Sequence, residues 1–110
     1  MATIVNAHNL STGQVLSSEI TNANNVRIQY LISGATDIRQ IVDVEFLVSD
    51  DGGSNYESLT DMAERPIVMT LVGNSHGSRN VVGINSAKMK LKVVPRDTCV
   101  GTITINTYES

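Results

Sequence analysis

Between Ile41 and Leu59 the chain reads IVDVEFLVSDDGGSNYESL, and no other stretch limits the fold so tightly. Val42, Val44, Phe46 and Val48 alternate with Asp43, Glu45 and Leu47, the two-residue period of a strand with one buried face. The run then meets Asp50-Asp51-Gly52-Gly53-Ser54-Asn55, where glycine supplies the positive φ angles a tight reversal needs. Tyr56 to Leu59 resumes apolar spacing, so a hairpin is predicted. A chain of 110 residues has room for one core and not two, so residues 1–110 are read as one domain.

The rest of the chain extends the pattern. Residues 1–13 read as an edge strand or an extended arm, with Ile4 and Val5 followed by the polar stretch from Asn9 to Gly13. Gln14 to Ile20 reads as a short strand. Val26, Ile28, Tyr30 and Ile32 alternate with Arg27, Gln29, Leu31 and Ser33, and Gly34 closes that run. Residues 58–64 have the spacing of one helical turn or of a plain connector before Pro66 bars continuation. Ile67 to Val72 has strand length, Gly73 to Ser78 reads as a loop of breakers, and Val81 to Ile84 opens the next strand. Met89, Leu91 and Val93 alternate with Lys88, Lys90 and Lys92 until Pro95, and Ile103 and Ile105 mark the last strand. Ile and Val number 23 against 13 for Leu and Ala, which favours sheet over helix. Short strands separated by turn clusters predict an all-β fold, a single antiparallel β-sandwich or jelly roll of about seven or eight strands.

Composition narrows the function classes. A net charge of −3 and a pI near 5.2 oppose a nucleic-acid partner, which needs clustered Lys and Arg on phosphates. Charged residues make up 17%, so Ser, Thr, Asn and Gly must coat a neutral, hydrogen-bonding surface. Cys99 is alone, which leaves no internal disulfide and reads as a buried reduced thiol. The start has no basic region leading into an apolar run, and no window approaches about 18 apolar residues. Neither a signal peptide nor a membrane partner is expected.

Each candidate for chemistry has a plainer reading beside it. Asp50, Asp51, Ser54, Asn55 and Glu57 offer oxygens for calcium, yet their spacing is not that of an EF-hand and a hairpin turn selects the same residues. The turn is preferred, with no metal and no cofactor. Asp43 and Glu45 share a strand face and invite comparison with an acid and base pair. Lys88, Lys90 and Lys92 project from one face of another strand, so opposite-charge pairs across the two strands explain both rows. Should the strands lie apart, the lysines become contacts for another subunit. His8 and His76 have no ligand-spaced companion, and Ser75 before His76 lacks the setting of a nucleophile. No catalytic residue is assigned, and the chain is read as a non-enzyme.

The pattern VEFLVSDDGGSNYESL, then AKMKLKVVP, then a closing GTITINTYE resembles the small β-sandwich structural proteins of tailed bacteriophages over roughly residues 40–110. The resemblance implies a virion component assembled in the host cytoplasm, either a capsid decoration or cement protein, often a homotrimer, or a part of the tail. Its partners would be the major capsid protein or other virion proteins. The contact residues expected on this reading are Asp50, Asp51, Asn55, Asn74, His76, Lys88, Lys90 and Lys92. A carbohydrate-binding or adhesion module using Tyr30, Tyr56 and Tyr108 is the alternative.

Overall fold

The computed structural model describes residues 2–20, 25–60, 62–82, 88–96 and 98–109. Among these residues nine strands run in the order β1 (Ala2–Asn9), β2 (Val15–Leu16), β3 (Asn25–Ser33), β4 (Ile41–Ser49), β5 (Glu57–Ser58), β6 (Val68–Val72), β7 (His76–Val82), β8 (Lys88–Pro95) and β9 (Thr102–Glu109), with one 3-10 turn at Leu10–Thr12. All pairings are antiparallel. One sheet has the order β1-β9-β3-β7 and the other β2-β8-β4-β5, with β6 also on β4. The protein is an all-β sandwich.

Its connectivity is a jelly roll. β1 pairs with β9, β2 with β8, β3 with β7 and β4 with β6, the nested pairs that result when one long antiparallel ribbon is rolled up. Rolling adds the β3–β9 and β4–β8 ladders, so these four strands are bonded on both edges. The short β5 is an added ribbon on β4, Leu47 opposite Ser58 and Val48 opposite Glu57, and it completes the predicted hairpin. Gly52 at φ 79 and Gly53 at φ 98 make the reversal.

The alternation read from the sequence is the packing pattern. Val42, Val44 and Phe46 of β4 and Met89, Leu91 and Val93 of β8 turn inward, as do Val26, Ile28 and Ile32 of β3 and Ile103 and Ile105 of β9, all 2% exposed or less. Burial of such side chains is worth about 1.5–3 kcal/mol each. Cys99 is buried among them, with its thiol toward the carbonyl oxygens of Arg96 and Ile41.

Three local expectations need correction. The strand predicted over Gln14 to Ile20 stops after Leu16. Ser17 spends its hydroxyl as well as its backbone on β8, accepting from Leu91 N–H at 2.9 Å while its own N–H donates to the Leu91 carbonyl at 2.8 Å; the chain rejoins β8 only where Ile20 bridges Met89. The breaker loop ends at Ser75, because β7 already begins at His76. Between β5 and β6 the sequence left a helical turn or a plain connector open, and the connector forms, with a turn and a Thr60–Pro66 bridge. Of the strand predicted from Val81 to Ile84, Val81 and Val82 end β7, and residues 83–84 lie outside the described residues.

Phe46 is the largest fully buried side chain. Phe46→Ala is expected to cost about 3–5 kcal/mol, read as a lower urea midpoint with unchanged slope. A loss under about 1 kcal/mol would mean that this ring does not close the core.

Candidate functional site

The sequence-predicted contact residues do not gather in one place. Asp51 sits inside its own turn. One carboxylate oxygen accepts from Ser49 Oγ (2.7 Å), Asn55 N (2.9 Å) and Ser54 N (3.1 Å), and the other from Asn55 Nδ2 (2.8 Å). The Ser49 hydroxyl, then the Asn55 donors, hold its carboxyl well below the usual carboxylate range. Four donors from within the turn already engage this carboxylate, so Asp51 shapes the turn, while Asp50 beside it stays exposed. Among the described residues no group of three or more His, Cys, Asp or Glu is arranged to hold a metal.

Lys88 and Lys90 belong to the same end of the five-stranded sheet. Tyr56 Oη donates to Glu19 Oε2 at 2.6 Å, Lys88 Nζ lies 3.3 Å from Glu19 Oε1, and Lys90 Nζ stands 4.8 Å from the centre of the Tyr56 ring. Gly53 closes over this group, since a Cβ there would meet Glu19 Oε2 at 2.9 Å. Burial first, then the Glu19 carboxylate, pushes the Tyr56 phenol up to about 12. Glu19 in turn is held below its ordinary value, chiefly by the Tyr56 hydroxyl.

The expected charge ladder forms only in part. Lys92 faces Glu45 in register, but Asp43 is taken by Arg96, which donates from Nε to Oδ2 at 2.5 Å and from Nη2 to Oδ1 at 3.0 Å. Glu19 and Arg96 were missed because nothing local marks them: each meets its partner across a long sequence separation that only strand register brings together. Asn74 is also used internally, as its side-chain amide brackets the backbone of Ala35. Of the eight residues only His76 reaches the outer face of the four-stranded sheet, opposite Leu31.

That face is the candidate site. Register places Arg27, Gln29, Leu31 and Ser33 of β3 beside Thr102, Thr104, Asn106 and Tyr108 of β9, with His76, Ser78 and Asn80 of β7 flanking them. Tyr108 Oη donates to Gln29 Oε1 at 3.2 Å, Arg27 Nη2 to Ser78 Oγ at 3.0 Å, and Thr3 Oγ1 to Asn106 Oδ1 at 2.7 Å. Two shallow hollows share Gln29, one of about 420 Å3 reaching His76, Ser78, Thr104 and Asn106, the other of about 350 Å3 beneath Arg27 and Tyr108. No described side chain of this sheet is a carboxylate. The three tyrosines are placed differently: Tyr30 packs against the core and lines the larger hollow, Tyr56 is held at Glu19, and Tyr108 is 40% exposed on the outer face.

No protein-family model, no curated protein and no solved structure matches this chain. Function therefore has to be read from the sandwich itself.

The Tyr56–Glu19 pair predicts a pH signature. Folding raises the phenol from 10.0 to about 12, so its contribution to stability is whole below pH 10 and is lost as pH climbs through 12. Glu19 is lowered from 4.5, so its share is present above pH 4.5 and is lost as pH falls through the folded value. Ultraviolet titration of the folded protein should show one phenol ionising near pH 12, and Glu19→Gln should bring that midpoint partway down toward 10.0. An unchanged midpoint would contradict the role given to Glu19.

Proposed function

We propose that this protein is a structural component of a tailed-phage virion, a decoration protein that docks on the outside of the capsid in many copies. Three features support the reading. The jelly roll is an architecture found in viral capsid and lectin domains, and the β4–β5 turn, β8 and β9 carry the sequence pattern that resembles phage structural proteins. The observation that carries most weight is the outer face of the four-stranded sheet, where amides and hydroxyls are displayed in register on a rigid support with no described carboxylate among them. Such a surface docks by many weak, uncharged contacts, and symmetric repetition on a shell multiplies them into firm attachment. Asp43, Glu19 and Asp51 meanwhile spend their charge on Arg96, on Lys88 and Tyr56, and on the turn, so the chemistry proposed is attachment and not bond-making.

Quantitative mass spectrometry of purified particles tests this. A copy number comparable with that of the shell subunit is expected; a few copies per particle would move the protein to the tail, and its absence would reject the class. The hollow beside Tyr108 favours a second reading, attachment to a glycan, because a half-exposed ring flanked by amide and guanidinium groups is suited to a sugar face. On that reading Tyr108→Ala abolishes binding on an oligosaccharide panel while Tyr30→Phe does not. Wild-type protein that binds no member of the panel would eliminate it.

A further inference from the structure

The two sheets have unequal edges. β1 is interrupted by register shifts between Thr3 and Val5 and between Val5 and His8, and Ala7 there adopts φ 46. β2 and β5 have two residues each. β6 is capped at Val72, whose N–H and carbonyl are both held by the Ser75 hydroxyl. Bulges, shortness and covering loops are backbone ways of blunting an edge, beside charged side chains such as Arg79 of β7. β7 has none of the backbone devices: it pairs with β3 through seven consecutive residues without a shift, and among the described residues nothing pairs with its far side.

The direction of its free groups follows from the ladder. Ile32 N–H donates to the Ser75 carbonyl at 2.8 Å, and antiparallel pairs alternate. Ser75, Gly77 and Arg79 therefore turn their backbone groups toward β3. The N–H and C=O of His76, Ser78 and Asn80 point to the open edge.

We propose that β7 pairs antiparallel with β7 of a second copy of this chain, about a two-fold axis at Ser78, joining two four-stranded sheets into one. In this register Ser78 faces Ser78 of the other copy, while His76 faces its Asn80 and Asn80 its His76. Every outward group of these three residues then has a partner, giving six backbone hydrogen bonds. Side-chain pairing selects the register. An axis one residue along, at Arg79, also satisfies the backbone but sets two guanidinium groups directly opposite each other, which is destabilising. With the axis at Ser78, Arg79 lies across from Gly77 of the second copy, where no side chain intrudes. The Tyr30 hydroxyl, 2.8 Å from where a Gly77 Cβ would be, stands ready there as an acceptor. Arg79 already reaches inward over the Phe46 ring, 5.5 Å from its centre, so the edge is not crowded by its own cation. The contact is isologous and closes on itself, which keeps an exposed edge from polymerising. It does not depend on the virion reading, and it leaves the outer face of the sheet free.

Sedimentation of the purified chain across a range of concentrations tests the pairing, with two variants. Ser78→Pro removes an N–H that takes no part in the β3 ladder, so it should leave a folded monomer with near wild-type circular dichroism at concentrations where the wild type is dimeric. Ser78→Cys should give a covalent dimer on mild oxidation, because directly paired strand residues fall within disulfide reach and Cys99, the one native cysteine, is buried. Asn80→Cys should not, since its own counterpart lies several residues away along the edge. A wild type that stays monomeric throughout, a Ser78→Pro variant that remains dimeric, or cross-linking at Asn80 in place of Ser78 would each overturn the proposal. If Ser78→Pro fails to fold, the pair of cysteine variants decides alone.

Discussion

Everything in this protein depends on four strands that have no free edge. β4 and β8 in one layer, and β3 and β9 in the other, have a hydrogen-bonded neighbour on each side, the short β2 in the case of β8, so their backbones cannot shift without breaking two ladders at once. That fixes which side chains turn inward. A one-residue slip would carry Val42, Val44 and Phe46 to water and bring Asp43 and Glu45 into the core, and hydrophobic burial forbids it. With these strands locked, the outer faces become rigid arrays whose spacing is set by the pleat.

Charge serves this framework more than it advertises a site. Asp51 holds the turn after β4, Glu19 gathers Tyr56 and Lys88 beneath that turn, and Asp43 clamps Arg96 beyond the end of β8. Each lies on or around the five-stranded sheet. Among the described residues the outer face of the other sheet carries hydroxyls, amides, Leu31, Tyr108, Arg27 and His76, a surface whose contacts are directional yet weak one by one. The attachment in repeated copies proposed above would gain from such a surface, because no single strong charge fixes it to the wrong partner.

What could be read beforehand follows the same division. β3, β4, β8 and β9 were legible because each buries one face against the opposite sheet, and the cost of exposing Val, Ile or Phe writes a two-residue period into the sequence. β7 was not. Gly77, Ser78, Arg79 and Asn80 show no apolar alternation, since the inner side of this edge is filled by the Tyr30 ring and the Arg79 side chain and its outer side meets water. The turn chemistry at Gly52 and Gly53 was local and visible, whereas the partners of Lys88 and Asp43 depended on register between distant segments. The lysine row was likewise recognisable as a row, but Lys88 and Lys90 turned out to be occupied by Glu19 and Tyr56. Of the eight expected contact residues, only His76 lies on the outer face of the four-stranded sheet, whose Ser, Thr, Asn and Gln have the same composition as an ordinary solvated surface and so leave no mark in the sequence.

Residue-resolved amide hydrogen exchange tests the rigid framework most directly. The account predicts the slowest exchange, at rates set by global unfolding, in β3, β4, β8 and β9. In dilute protein β7 should alternate, with Gly77 and Arg79 protected while His76, Ser78 and Asn80 exchange freely. Fast exchange through β4 and β8, or exchange there no slower than in β1, β2 and β5, would contradict it, for then the sandwich would have no stiff centre on which to display an outer face.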